Sequence, residues 1–207
     1  MPEEHAESAP IVNIVGERIA LGPIRRDLIP TYCRWNNDFG MTRTLRRSAP
    51  ITLEQVNRSY DALLADEHAV NFTIYERATW RPIGNTAWND IDERNRTAEL
   101  VLLLGEADCR GKGYGTEATR LMLDYAFTAL GLHSVMLRVY EFNLAGQRAY
   151  AKAGFRECGR RRQCQFMGGK LWDVILMECL ATEFTSPVLH AVFAPDVPRA
   201  NSATEET

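Results

Sequence analysis

Arg110-Gly111-Lys112-Gly113-Tyr114-Gly115 is the stretch on which the reading of this chain turns. An apolar, strand-like run, Leu100 to Leu104, precedes it, and a strongly helical run, Thr116 to Leu130, follows. Strand, glycine-rich loop and helix amide end in succession form an anion cradle. Bare backbone N–H groups can point inward there, and the helix dipole favours negative charge. The expected ligand is a pyrophosphate. Two familiar glycine loops fail on spacing. A nucleotide P-loop needs a hydroxyl residue after the lysine to hold magnesium, and Lys112 is followed by Gly113. A dinucleotide loop needs G-x-G-x-x-G in the first strand–helix turn, whereas G-x-G-x-G here follows several strands. The pattern Arg/Gln-x-x-Gly-x-Gly/Ala remains, filled by Arg110, Gly113 and Gly115. Taken alone it also fits a tight strand-to-helix connection that uses glycine for positive φ.

Outward from the loop, the helix is the best-specified element. Ala118, Leu121, Met122, Tyr125, Ala126 and Ala129 make one apolar face, and Gly131 can end it as a left-handed cap. Upstream, Val70, Phe72 and Ile74 alternate with polar neighbours, Ile83 to Ile91 follows a turn, and Thr97 to Leu104 follows another. Short turns make these three an antiparallel meander. Downstream, Val135 to Tyr140 can lie parallel to Leu100–Leu104, because a helical crossover separates them. Asn143 caps a helix to about Lys152, closed by Gly154, and strands Glu157–Met167 and Leu171–Cys179 flank a Gly168-Gly169 hairpin turn. Near the start, Arg18 to Leu21 is a strand stopped by Gly22-Pro23, and Asp27 is the expected N-cap of a helix through Trp35. Asn36 to Pro50, with Arg43, Arg46 and Arg47, reads as loop or irregular helix. Thr52 and Gln55 form a capping box for a helix to about Ala65.

The 207 residues suit one domain with a substantial core. The formal charge of −3 divides unevenly. Glu3, Glu4 and Glu7 make residues 1–10 acidic, and Glu183, Asp196, Glu205 and Glu206 against Arg199 do the same for 181–207, leaving a mildly positive body at 11–180. That balance suits a polyanionic small molecule and is too weak for nucleic acid. Five cysteines without a CxxC pair argue against a disulfide framework and a structural zinc site. No run reaches transmembrane length and the start is no signal peptide, so the expectation is a cytoplasmic protein with no membrane and no bound metal. Residues 1–10 and most of 181–207 are expected to be disordered, with Val188 to Phe193 apolar enough to dock.

From Glu17 to Cys179 the chain resembles the GNAT superfamily of N-acetyltransferases, in the branch of the ribosomal-protein N-terminal and spermidine acetyltransferases. The resemblance rests on four ordered blocks: Trp35-Asn36-Asn37-Asp38, Glu99 through Ala118, Asn143 with Ala149 to Phe155, and Gly169 to Met177. It implies an α/β (α+β) fold: a mixed, mostly antiparallel sheet of about seven strands, splayed between the fourth and fifth, with helices on both faces. It implies acetyl-CoA as co-substrate, with its pyrophosphate on the amides of Arg110, Gly111, Lys112, Gly113, Tyr114 and Gly115, leading into Thr116. The pantetheine arm would lie as an added strand along Leu102, Leu103 and Leu104.

Direct acetyl transfer to an amine needs a proton acceptor, an oxyanion site and a proton for the departing thiolate. The resemblance gives Tyr150 the acid role and Asn143 a pantetheine hydrogen bond. Seven residues apart, they project to the same side of one helix. A plain structural reading makes Asn143 an N-cap and Tyr150 a core aromatic. Glu99 is the candidate base, through water, or else a solvent-facing carboxylate at a strand end. The oxyanion donor would be a backbone N–H near Val101 or Leu102. His133 and Cys109 read as structural residues. Arg160-Arg161-Arg162 reads as a solvated hairpin face or a contact for the CoA 3′-phosphate, the former favoured, and Asp173 as a substrate-site carboxylate or a strand-pairing residue. Val101-Leu102 replaces the glycine-aromatic pair often seen after the glutamate in the family, so the acceptor pocket is expected to differ. The acceptor class is a primary amine: peptide N-terminus, polyamine, amino acid or amine antibiotic. Leu28–Ala65 would roof its pocket. A non-catalytic acetyl-CoA-binding sensor or partner-binding module on the same scaffold is the competing class, and a homodimer through the Gly168-Gly169 hairpin or the apolar tail segment is a further expectation.

Overall fold

A computed structural model describes residues 9–45 and 49–196. The expectations for residues 1–8, for Arg46 and Arg47, and for the end of the chain from residue 197 lie outside the described residues.

Eight strands form one sheet in the order β1-β2-β3-β4-β5-β6-β8-β7. The strands are β1 (Ile14–Val15), β2 (Ile19–Pro23), β3 (Val70–Glu76), β4 (Pro82–Asp92), β5 (Thr97–Leu104), β6 (Ser134–Tyr140), β7 (Arg156–Met167) and β8 (Lys170–Leu180). The expected seven strands are all present, and β1 is the eighth. Two residues are too few to show an alternation, and β1 is held by its ladder on Ala20 and Leu21. Every described pairing is antiparallel except β5 with β6. The crossover between these two is helix α4 (Tyr114–Asp124), so the right-handed strand–helix–strand rule applies.

Two expectations near the start are corrected. Gly22-Pro23 does not stop β2, since Gly22 pairs with Thr73 and Pro23 with Phe72. β1 ends opposite Ala20, at its other side from Pro23, so a missing N–H at 23 breaks no described ladder there. A Cβ on Gly22 would lie 2.2 Å from the Ile11 carbonyl oxygen, so glycine admits the incoming backbone. Asp27 does not cap the first helix. Its carboxylate is bound to Arg25 at 2.5 Å, a 3₁₀ turn occupies Arg26–Leu28, and α1 (Ile29–Asn37) begins with Pro30 in its first turn. The irregular stretch after it contains α2 (Phe39–Thr42), capped by the Asp38 side chain on the amides of Gly40 and Met41. The capping box of α3 (Leu53–Ala65) forms as expected, with Thr52 and Gln55 bonded in both directions.

Helices cover both faces of the sheet. One core cluster joins α4 to Ile19, Leu21, Ile74, Trp88, Leu100 and Leu137. A second, on the opposite face, joins Trp35, Tyr32 and Met41 to Val56, Tyr60 and Leu103. Adjacent β5 residues supply the two clusters because successive side chains of a strand point to opposite faces. The expected helix end at 130 is a π-helical turn over Tyr125–Ala129, and Gly131 takes the left-handed conformation at φ 65°. The final described helix, α6 (Leu189–Val192), docks with Leu189 buried in the first cluster. It lies within Val188 to Phe193, the apolar piece of the tail singled out as able to dock.

Candidate active site

The site begins where β5 and β6 part. Their parallel ladder runs from Thr97 opposite Ser134 to Leu100 opposite Leu137 and stops there. Beyond that point each strand keeps its other partner: β5 stays on β4 to Leu104 opposite Gly84, and β6 stays on β8 to Tyr140 opposite Val174. The splay therefore falls between the fourth and fifth of the seven expected strands. Gly105 N–H donates to the Ile83 carbonyl at 2.8 Å on the β4 side. Backbone hydrogen-bonding groups alternate between the two edges of a strand, so the N–H groups of Leu103 and Val101 point toward β4 and those of Leu102 and Leu104 toward the gap. Two edge amides thus face open space, a ready template for an added extended chain. Of the two oxyanion candidates, the Leu102 N–H points into the gap and the Val101 N–H toward β4, although both residues line the larger cavity.

Two cavities meet at this opening. One, of about 470 Å³, is lined by Leu102, Leu103, Leu104, Arg110, Gly111, Gly113, Tyr114, Gly115 and Thr116 on one side. Asn143, Ala145, Gly146, Arg148, Ala149, Tyr150 and Lys152 of helix α5 (Leu144–Ala153) line the other. The second cavity, of about 750 Å³, holds Glu99, Arg138, Asn36, Asn85, Arg161 and Gln165. Thr44, Leu102, Leu103, Asn143 and Tyr150 belong to both.

The glycine loop has the features of an anion cradle. Gly113 is the N-cap of α4 at φ 85°, and Gly111 sits at φ 72°. Glu117 N–H is the first helical amide to find its acceptor, the Gly113 carbonyl at 3.1 Å. The amides of Gly113, Tyr114, Gly115 and Thr116 are therefore the helix's unpartnered donors, at the cavity wall. Arg110 is engaged otherwise: its N–H donates to the Ala107 carbonyl at 3.2 Å, and its guanidinium bonds Gly40 O and Met41 Sδ of α2. Lys112 does not line the cavity, and its carbonyl accepts from Arg18 Nη1 at 2.6 Å. A brace lies behind the loop. Glu117 Oε1 accepts from Arg18 N at 2.8 Å and Ile19 N at 3.3 Å, while Oε2 meets Arg18 Nε at 3.1 Å. Tyr114 donates to Glu76 at 2.8 Å. Open amides together with Arg43, Arg148 and Lys152 on the lining fit a pyrophosphate-bearing ligand such as CoA.

Across the gap, Asn143 Oδ1 accepts from Gly146 N–H at 3.0 Å, so the N-cap expectation is met. Its side chain also lines both cavities, so capping and ligand contact are compatible. Tyr150 lies at the junction, edge-on to Phe155 at 6.3 Å. Burial alone pushes its phenol up to about 12. A phenol held so high is protonated at neutral pH, the state a proton donor requires. Glu99 lines the larger cavity and Arg138 Nη2 holds its Oε2 at 2.6 Å, so it is neither solvent-facing nor unpartnered.

Other tempting residues settle into structural roles. Asp173 accepts from Gln163 N–H at 2.9 Å and meets Arg160 at 3.4 Å, pinning a bulge in β7. Arg160 is spent on Glu141, Glu157 and Asp173. The 160–162 run does not line the loop-side cavity, and Arg160 and Arg162 are exposed. Arg161 lines the larger cavity instead. His133 is exposed and Cys109 is buried, its thiol pushed up by burial first and by the Asp108 charge second. The Trp35–Asp38 block positions α1 and α2. Trp35 lies on the Gly105 backbone, where a Cβ would fall 2.2 Å from the indole, and its Nε1 donates to Glu106 at 2.8 Å. Sequence reasoning missed Arg138, Arg148 and Lys152, and it weighed Arg161 only as hairpin face or CoA contact, not as a residue of the larger cavity. The i, i+4 spacing of Arg148 and Lys152 was a legible signal, whereas Arg138 and Arg161 face the site only through strand pairing, with Leu176 and Val174 of β8.

The family model described as the acetyltransferase (GNAT) domain matches residues 18–156. An uncharacterized N-acetyltransferase p20 of Bacillus licheniformis is 26% identical over 171 residues, covering 81% of this chain and 96% of that protein. The human alpha/beta-tubulin-N-acetyltransferase 9 is 27% identical over 157 residues, covering 70% of this chain and 75% of that protein. Among solved structures, the spermidine N-acetyltransferase of Vibrio cholerae in complex with CoA and spermine superposes with a TM-score of 0.76 at 23% identity. It covers 81% of this chain and 98% of its own.

Proposed function

The chain belongs to the acetyltransferase (GNAT) domain family, and from that premise we propose how its own residues carry out acetyl transfer to a primary amine. It is an acyltransferase with acetyl-CoA as donor. When bound, acetyl-CoA supplies the thioester carbonyl that the amine attacks. The first-turn amides of α4 hold the pyrophosphate, and the gap-facing edge of β5 at Leu102 and Leu104 aligns the pantetheine arm. The Leu102 N–H faces the developing oxyanion. Glu99, oriented by Arg138, receives the ammonium proton through water, and the Tyr150 hydroxyl returns a proton to the departing sulfur. The rest of the rate enhancement comes from holding donor and acceptor in line. The observation that carries this reading is the place of Tyr150, a protonated phenol where the two cavities join.

The compartment belongs to the same reading: five free cysteines suit a reducing cytoplasm. Among the described residues no helix is long and apolar enough to cross a membrane. A homodimer through the β7–β8 hairpin is also part of it, supported by the exposed cross-strand pair Phe166 and Leu171 at its tip, and a monomeric mass in solution would reject it. For the chemistry, thiol release from acetyl-CoA is measured across a panel of primary amines, wild type beside Tyr150→Phe. Turnover that collapses in the variant while CoA binding persists is expected. Unchanged turnover would remove Tyr150 from the mechanism, and a protein that binds no CoA would end the reading.

A further inference from the structure

The larger cavity carries the wrong charge for a polyamine. Among the described residues lining it, the one carboxylate is Glu99, already bound to Arg138 at 2.6 Å. Against it stand two guanidinium groups, Arg138 and Arg161, with the neutral amides of Asn36, Asn85 and Gln165. A spermidine-like acceptor would bring several ammonium groups into a cleft with an excess of positive charge and no uncommitted carboxylate. Within a partly desolvated cleft that repulsion is far larger than in water.

Arg161 lies on the lining of this cavity with its ladder partner Val174, and β7 bulges immediately after it. Arg161 pairs with Val174 and Gln165 with Trp172, so Arg162, Gln163 and Cys164 together oppose Asp173 alone. Gln163 takes φ 48°, a left-handed conformation unusual for a residue with a Cβ, and its N–H is held by Asp173 Oδ1 at 2.9 Å. The consecutive residues Cys164 and Gln165 both line the cavity, which an unbroken pleat would send to opposite faces. Bulges beside active sites re-aim side chains in this manner. Arg160, the neighbour, meets three carboxylates on Glu141, Glu157 and Asp173, whereas Arg161 makes no ion pair among the described residues.

We propose that the acceptor is an amine that also carries an anionic group, a carboxylate, and that the Arg161 guanidinium binds it while the amine faces Glu99 and Tyr150. This deepens the acetyl-transfer reading and rests on it. Guanidinium is suited to the task because its planar fork can meet both carboxylate oxygens. A free amino acid and a peptide N-terminus followed by an acidic side chain share this chemistry.

The test uses the full chain and two matched series. In the first, Ala-Glu-Ala, Ala-Gln-Ala and Ala-Lys-Ala carboxamides present the same α-amine. In the second, 4-aminobutyrate is set against its carboxamide, with spermidine alongside. A KM lower by about tenfold or more for the carboxylate member of at least one series is expected, and the responding series identifies the source. Arg161→Ala should abolish the ratio between Glu and Gln peptides, Arg161→Lys should restore part of it, and Arg161→Glu should favour the Lys peptide. Equal KM values across both series, or better turnover of spermidine and the Lys peptide, would overturn the inference and leave acetyl transfer standing. An Arg161→Ala variant that keeps the full preference, with an unchanged melting temperature, would overturn the role of Arg161. No thiol release with any acceptor would overturn the acetyl-transfer reading itself, and this inference with it.

Discussion

Arg138 and Glu99 face each other across the parallel seam of the sheet, Nη2 to Oε2 at 2.6 Å, beside the point where β5 and β6 separate. The pair fixes the carboxylate at the mouth of the acceptor cavity. Glu99→Gln keeps the shape and removes the proton acceptor, so kcat should fall by about a hundredfold, in the range expected of general base catalysis. Arg138→Met frees the carboxylate to rotate and should cost less, roughly tenfold. The double variant should be little worse than Glu99→Gln alone, because both changes act on one group. Steady-state kinetics with a saturating amine tests this, and an unimpaired Glu99→Gln would move the base elsewhere.

The raised phenol of Tyr150 makes two expectations. Tyr150→Phe should lower kcat by about 10²–10⁴-fold while the CoA dissociation constant changes little. The second concerns stability. An unfolded tyrosine ionises near 10, and the folded group only at about 12. Its contribution is therefore complete below pH 10 and is lost as pH rises through about 12. Denaturant melts from pH 8 to 11 should show a shallower alkaline decline for Tyr150→Phe, and parallel curves would contradict the assignment.

Gly113 combines a backbone requirement with a close neighbour. At φ 85° an added Cβ costs about 1–2 kcal/mol. That Cβ would also fall 2.9 Å from Arg18 Nη2, disturbing the arginine that holds the Lys112 carbonyl. Gly113→Ala should lower the melting temperature and weaken CoA binding while leaving the amine KM near its original value. Calorimetric titration with CoA separates the two effects.

Glu106 links stability to acid. Burial pushes its carboxyl upward and is the largest single influence, but hydrogen bonds from Arg34 and Trp35, with the Arg34 charge, outweigh it and leave the group below the ordinary value. A depressed folded pKa stabilises the protein above the unfolded glutamate value of about 4.3, and that contribution is lost as pH falls through the folded pKa. Glu106→Gln should therefore cost about 1 kcal/mol at pH 7, discounted because Arg34 is largely exposed. The gap in melting temperature should close below about pH 4. A gap that widened in acid would reverse the sign.

The periodic elements were legible because burial on one face leaves a repeat in the sequence. The α4 stripe from Ala118 to Ala126 and the alternation of β3 required only local reading. The glycine loop was legible for a related reason: positive φ at Gly111 and Gly113 demands the residue type. Partners brought together by tertiary pairing were not. Arg138 meets Glu99 only because two strands 39 positions apart are adjacent. The β7 bulge depends on Asp173, which the sequence leaves equally open to substrate contact. Asp124 is a charged residue beside the α4 stripe, yet it is fully buried, because a segment more than sixty residues away covers it.

That buried carboxylate yields the last prediction. Asp124 Oδ2 accepts the amides of Val188 and Leu189, each at 2.9 Å, and Oδ1 accepts the Thr128 hydroxyl at 3.0 Å. It thus caps α6 from outside the helix and fastens the tail to the core, where Leu189 fills a site 4% exposed. Asp124→Ala leaves two backbone donors without their acceptor and should cost about 1–3 kcal/mol. Ending the chain at Ser186 should also destabilise, by uncovering the Leu189 site and stranding the carboxylate. Combined, the changes should not add: once the tail is gone the carboxylate has lost its acceptor role, so Asp124→Ala in the shortened chain should be neutral or stabilising. Denaturant unfolding of the four proteins measures the coupling, and additive costs would show that Asp124 and the tail act independently.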